Sequence, residues 1–241
     1  MPDPSSDATA PPDNAPADGG LLGAAGYRTL HQWAPPATAR ARAAELVTIH
    51  RSSLREVVRN PHADEEWAQT LVRAPLLVNT VRDLIGPDIA VENTFLVVKW
   101  PGRDFEVPWH QDGINDQLEL DPLHAVAAWI ALTDADVTTG CLHVMPGSQR
   151  AGYLSYEREA ATGAARGRAL GTHVSPDSRG MPVPLAAGSG ILMDTRLVHC
   201  SHSNQGVGAR FGLNIRYVAP GGIRRRDDSS PGLDPITGTG W

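Results

Sequence analysis

Cysteine is scarce: the 241 residues include two, Cys141 and Cys200, and neither belongs to a Cys-x-x-Cys unit. That excludes a disulfide framework or a structural zinc finger and fits a reducing compartment, so a cytoplasmic location is expected. No apolar run approaches the roughly 20 residues that a membrane span needs. Residues 1–20, built of Pro, Ala, Asp and Ser, lack the basic n-region and apolar h-region of a secretory signal. No membrane partner is expected. Positive charge is also in short supply, with a formal net charge of −6. The one basic cluster, Arg224-Arg225-Arg226, runs straight into Asp227-Asp228, which reads as a solvated tail and not as a nucleic-acid footprint.

What is present is enough for one core. With 41% hydrophobic residues in 241, a single domain is expected over 21–220. Residues 1–20 cannot bury apolar area and are expected to be a disordered tail. Residues 221–241 read as an exposed C-terminal extension in which Trp241 could dock. The spacing of Leu46, Val47, Leu54, Val57 and Val58 predicts a helix from about Thr38, as N-cap, to Val58. A second helical stretch is predicted from Asp64 to Ile85, split or kinked at Pro75 and stopped by Gly86-Pro87.

Beyond Gly86 the texture changes to short runs rich in Val, Ile, Leu and Trp between turn residues. Strands are predicted at Asn93–Lys99, Ala125–Leu132, Leu142–Met145, Gly190–Met193 and Phe211–Val218. Helices first and many short strands after, without βαβ alternation, predict a mainly β fold with N-terminal helices: a two-sheet antiparallel barrel or jelly roll. Residues 151–184, rich in Gly, Ala and Arg, read as a long lid or binding loop.

Candidate chemistry centres on His110-Gln111-Asp112, at the end of an extended segment, with His199 far downstream. Two imidazoles and one carboxylate with open positions suit a non-haem Fe(II) oxygenase, and the same donors suit zinc. On the last predicted strand Phe211, Leu213, Ile215 and Tyr217 share one face, leaving Arg210, Gly212, Asn214 and Arg216 on the other. An inward arginine is a natural carboxylate clamp, because its planar fork makes two charge-assisted hydrogen bonds. Arg216 is expected to pair with an Asp at a strand end. His202 competes with His199, but strand alternation turns it to the opposite side.

Five stretches occur in the order found in one family: Lys99-Trp-Pro-Gly102, Trp109-His-Gln-Asp-Gly113, Ala128-Trp-Ile-Ala-Leu-Thr-Asp134, Gly140-Cys-Leu-His-Val-Met-Pro-Gly-Ser148, and His199-Cys-Ser201 with Asn204 and Arg210. On these residues the chain resembles the phytanoyl-CoA dioxygenase (PhyH) family of Fe(II)/2-oxoglutarate-dependent oxygenases. The resemblance implies a PhyH-like double-stranded β-helix (cupin-like) catalytic domain. It makes His110, Asp112 and His199 the iron ligands and catalytic centre, and Arg210 the partner of the 2-oxoglutarate C5 carboxylate. Ser201 would help hold that carboxylate, and Trp129 would line the co-substrate pocket unless it is ordinary core. Asn93 and Lys99 would face the metal as further co-substrate contacts. O2 is the other co-substrate, and retention of Asp112 argues against halogenation. One motif departs, Pro-Gly-Ser-Gln149 in place of Pro-Gly-Ser-His, at a turn expected to be structural.

The reaction implied is oxidation of a C–H bond of a small molecule, by default hydroxylation, with desaturation, epimerisation or cyclisation as other outcomes. An Ala-, Arg-, Pro- and Gly-heavy composition is that of high-GC bacteria, so tailoring in specialised metabolism is the leading expectation, with amino-acid or fatty-acyl hydroxylation next. Arg158, Arg166, Arg168 and Arg179 in the loop fit an anionic substrate and fit a solvated loop face equally well. From other classes, a zinc hydrolase or isomerase leaves Arg210 unexplained, and a non-catalytic binding barrel does not account for an intact ligand set. Oligomeric state is not legible.

Overall fold

A computed structural model describes residues 20–158, 170–175 and 177–241. The expected disordered tail, save Gly20, and two of the loop arginines, Arg166 and Arg168, lie outside the described residues. The chain begins with β1 (Tyr27–Leu30), α1 (Pro36–His50), β2 (Val57–Arg59), α2 (Pro61–Asp64), α3 (Glu66–Val72) and α4 (Pro75–Ile85). Next come β3 (Ile89–Lys99), β4 (Val107–His110), β5 (Leu118–Leu120), β6 (Ala125–Ala131) and β7 (Leu142–Val144). After a 3-10 turn follow β8 (Tyr156–Arg158), β9 (Leu170–Thr172), β10 (Met181–Val183) and β11 (Gly190–Met193). The last four are β12 (His199–Ser201), β13 (Arg210–Val218), β14 (Ile223–Arg225) and β15 (Asp234–Thr237).

Prolines set the helix starts. Pro36 and Pro75 occupy the first helical positions of α1 and α4, where a missing N–H costs nothing and the fixed φ suits the helix. Thr38 therefore sits inside the first turn and is not the N-cap, and Pro75 divides the second stretch as its ring geometry requires. The first helix ends at His50 and not at Val58. Val57 and Val58 pair instead with Val97 and Leu96 of β3, because β-branched side chains fit a pleated edge and β3 offers one.

Seven strands form the major sheet, in the order β1-β11-β6-β13-β3-β15 with β2 beside β3. One face of it carries Leu96, Val98, Ala128, Ile130, Phe211, Leu213, Ile215 and Tyr217, packed on Leu46, Val72, Leu77, Val78 and Val81 of the helices to form the main core. The other face looks toward a smaller antiparallel sheet, β10-β7-β12-β4. A second apolar cluster, with Trp129, Ile191 and Met193 on one side and Leu142, Val144 and Val183 on the other, joins the two sheets. The result is a jelly-roll sandwich over helices; among the described residues no ladder closes it into a complete barrel.

Two expectations are corrected here. Residues 151–184 are not simply a loop, since β8 pairs β9 and β10 joins the smaller sheet beside β7. Residues 221–241, though largely exposed, are tied back twice: β14 pairs β5 and β15 pairs the start of β3. Arg224 meets Glu119 at 2.6 Å, and Arg226 donates to Asn115 O at 2.7 Å, so part of the arginine cluster is structural. Gln149 is buried and donates to the carbonyls of Gly23 and Ala24, which fits a structural turn. Cys141 and Cys200 are buried free thiols, and no described helix is long and apolar enough to cross a membrane.

Candidate active site

The β4–β12 ladder brings together two histidines that are distant in sequence. His199 lies directly opposite His110 in register, and their rings are 4.1 Å apart between centroids. Asp112 enters from just past the end of β4. Between them, buried Gln111 points elsewhere and pins the turn: its amide donates to Gly152 O at 2.9 Å and Arg196 O at 2.6 Å, and its oxygen accepts from Leu154 N at 2.7 Å. One donor atom from each of His110, Asp112 and His199 lies within 4.8 Å of the others.

Hydrogen bonds fix which nitrogens face inward. His110 Nδ1 lies 2.8 Å from Pro108 O and His199 Nδ1 lies 3.0 Å from Leu197 O. A carbonyl can only accept, so each neutral ring carries its proton on Nδ1 and presents the Nε2 lone pair. These Nε2 atoms stand 3.7 Å from Asp112 Oδ1 and Oδ2 respectively. Burial, reinforced by the neighbouring His199, pushes His110 down to about 4, so it is a neutral donor near pH 7. Burial alone would raise the Asp112 carboxyl, but Arg216 and the two imidazoles hold it well below the usual carboxylate range. Both carboxylate oxygens are oriented: Asn214 Nδ2 donates to Oδ2 at 2.8 Å, and Arg216 Nη2 donates to Oδ1 at 3.2 Å. Arg216 thus pairs with the Asp of the cluster itself, and at 3.7 Å with Glu92.

A cavity of about 1040 Å³ opens over this cluster. Arg210, 1% exposed, lines it; Nη2 donates to Gly140 O at 2.6 Å, while Nε and Nη1 have no hydrogen-bond partner. Burial lowers its pKa to about 9, and among the described residues no carboxylate pairs with it. Ser201 and Trp129 line the same cavity, with the guanidinium carbon 5.3 Å from the indole ring. Trp129 also belongs to the apolar cluster between the sheets, so its core and pocket roles coexist. Gly212 makes room for it: a Cβ there would come within 2.1 Å of the indole.

Asn93 lines the cavity as well, but Lys99 does not. Its Nζ donates to Phe105 O at 2.7 Å and Ser201 O at 3.2 Å, so the ammonium ties β3 to β12 instead of reaching a co-substrate. The expectation for Lys99 is therefore corrected: a buried ammonium needs acceptors, and the nearest are backbone carbonyls. His202 is turned away, against His143 and 3.6 Å from Glu106. Of the loop arginines, Arg158 lines the cavity and lies 3.6 Å from Asp116, whereas Arg179 is exposed.

Glu92 escaped the sequence reading. Strict alternation along β3 gives it the core side of Thr94 and Leu96, yet it lines the cavity. A register shift explains this: Asn93 pairs Arg216 and Val91 pairs Tyr217, so Glu92 is the extra residue of a bulge that re-aims its side chain. An acidic residue directly after the apolar run Ile89 to Val91, in a strand, was the available signal.

Over residues 17–212 the sequence matches the family model described as phytanoyl-CoA dioxygenase (PhyH). The chain belongs to that family. A PhyH relative, the phytanoyl-CoA dioxygenase domain-containing protein 1 homolog of Caenorhabditis elegans, is 34% identical over 180 residues, covering 72% of this chain and 62% of the relative. The chain thus spans less than two thirds of that protein's length. Among solved structures, the non-heme monooxygenase ThoJ superposes with a TM-score of 0.76 at 24% identity, over 90% of this chain and 82% of that one. The non-heme alpha ketoglutarate dependent carbocyclase SnoK from nogalamycin biosynthesis gives 0.69 at 21% identity, over 89% and 93%. These two likenesses show the PhyH jelly-roll fold.

Proposed function

We propose that this protein is an Fe(II)/2-oxoglutarate-dependent dioxygenase that oxidises an unactivated C–H bond of a small molecule. His110, Asp112 and His199 would hold the iron, and Arg210, assisted by Ser201 and Trp129, would hold the distal carboxylate of 2-oxoglutarate. Arg210 carries the reading: a buried guanidinium with two unpartnered donors shares a cavity with a His/Asp/His cluster whose lone pairs face one another. Leaving such a group unpaired is costly, and a carboxylate satisfies it with paired charge-assisted hydrogen bonds. The zinc hydrolase alternative leaves Arg210 unexplained.

When bound, iron would activate O2, the oxidant of the reaction, and 2-oxoglutarate would supply two of the electrons and leave as succinate and carbon dioxide. The chain's own share is placement. Arg216 and Asn214 orient the Asp112 carboxylate, Pro108 and Leu197 fix the histidine tautomers, and the cavity holds one C–H bond near the cluster. Hydroxylation is the default outcome, in a tailoring step of bacterial specialised metabolism; such a role fits the composition and the origin of SnoK in nogalamycin biosynthesis. Anaerobic protein given Fe(II) and 2-oxoglutarate is expected to develop a weak visible charge-transfer band, which Asp112→Ala abolishes. A colourless solution that binds zinc tightly instead would sink the proposal.

A further inference from the structure

The cavity has a second polar end, several of whose buried polar atoms the proposed function does not use. Strand β13 presents Arg210, Gly212, Asn214 and Arg216 in sequence to the cavity side, and six residues of strand separate Arg210 from Arg216 by roughly 20 Å. Asp112 bonds to Asn214 and Arg216, so the His/Asp/His cluster lies toward the end remote from Arg210. At that remote end the bulge in β3 brings Glu92 and Asn93 to the same side.

Among the described residues, four polar atoms buried there have no hydrogen-bond partner. Three are acceptors, Glu92 Oε2, Asn93 Oδ1 and Asn214 Oδ1, and one is a donor, Arg216 Nε. Glu92 is 8% exposed; among the described residues its Oε2 has no hydrogen-bond partner, and Arg216 Nη1 stands 3.7 Å away, too long for one. Buried polar atoms are almost always satisfied, so a cluster left open on a cavity wall marks where a ligand supplies the missing groups. A bulge is also a costly way to place a carboxylate. Without it, Glu92 would face the apolar side of the sheet or the position would be apolar.

We infer that Glu92, Asn93 and Asn214 form the substrate-recognition subsite, and that it takes a substrate bearing N–H or O–H donors close to the C–H bond attacked. The class is an amine- or hydroxyl-bearing small molecule, as opposed to an unfunctionalised acyl chain. A hydrocarbon chain would leave all three acceptors desolvated and unpaired, whereas an amine or a pair of hydroxyls pairs them. The inference rests on the proposed oxygenase reading and narrows its substrate: specialised metabolites with amino or hydroxyl groups and amino acids remain, and fatty-acyl hydroxylation is excluded.

The test uses full-length protein loaded anaerobically with Fe(II) and 2-oxoglutarate. Three probe sets are added separately: L-amino acids and amino alcohols, methyl glycosides, and saturated acyl thioesters. Perturbation of the charge-transfer band and, after admission of air, probe-dependent succinate release are read. Absence of the band before any probe is added refutes the oxygenase reading itself. With the band present, a response to amines or to glycosides, and none to acyl thioesters, is expected; which of the two responds separates an ammonium from a hydroxyl donor. In Glu92→Gln, which keeps the side chain's shape, KM for the responding probe should rise about tenfold or more while KM for 2-oxoglutarate changes by less than about twofold. Glu92→Leu should raise it further. The inference is overturned by an acyl-thioester response, by silence of the amine and glycoside sets, or by a Glu92→Gln variant whose probe KM is unchanged.

Discussion

Arg210 and Arg216 have the same side chain on one face of one strand, and the groups around them give them opposite tasks. Arg216 donates to Asp112 and faces Glu92, whereas among the described residues Arg210 has no acid beside it and keeps two donor atoms open. Arg210→Ala removes two charge-assisted hydrogen bonds worth about 1.5–3 kcal/mol each. It is expected to raise KM for 2-oxoglutarate by about a hundredfold or more while Fe(II) still binds; an unchanged KM in steady-state succinate assays would falsify the clamp. Arg216→Met frees the Asp112 carboxylate from its anchor and should weaken Fe(II) binding about 10–100-fold, as loss of an outer partner typically does. Calorimetric titration of Fe(II) under argon measures it, and Arg216→Lys should recover part of the loss. At this scale the convergence of His110, Asp112, His199 and Arg210 on one cavity was legible because residue type and order carry it. Glu92 was not, because a one-residue bulge reverses the face that alternation assigns.

Strand positions were legible to within a few residues wherever a pure apolar run met turn residues, as at Gly190–Met193, since burial on both faces leaves no other reading. Val57-Val58 misled because two valines at helical spacing also satisfy a strand, and only the presence of β3 as a partner decides between them. The short strands β8, β9 and β10 were invisible, because three residues carry too little periodicity to stand out. Element docking has its own tests. Tyr217 of β13 donates its hydroxyl to Val72 O, at the end of α3, at 2.8 Å. Tyr217→Phe should cost about 1 kcal/mol of stability in thermal or urea unfolding. Gly212→Ala drives a methyl into Trp129; a loss of about 1–3 kcal/mol is expected from overpacking, with weaker 2-oxoglutarate binding as the indole shifts against Arg210. A variant as stable and as tight-binding as the parent would mean that β6 and β13 can separate freely.

For the molecule as a whole, burial lowers the pKa of His50, His62, His110 and His143. The unfolded chain therefore binds more protons than the folded one between the ordinary histidine range and about 4, the value reached by His110. Stability must fall as pH falls through that window. His110 alone contributes on the order of 3 kcal/mol at most, at about 1.4 kcal/mol per unit. Glu92, raised by burial, opposes this in part. Melting temperatures of metal-free protein at pH 7, 6 and 5 should decline steadily; a rise toward pH 5 would contradict the assignment of neutral buried histidines. The β4–β12 ladder carries one more implication, for synthesis. The three donors come together only when a strand from the middle of the chain meets one near residue 200, so a nascent chain halted before His199 has an incomplete coordination set. On the proposed ligand set, such a truncated chain keeps two donors of three and would compete for iron more weakly than the finished protein.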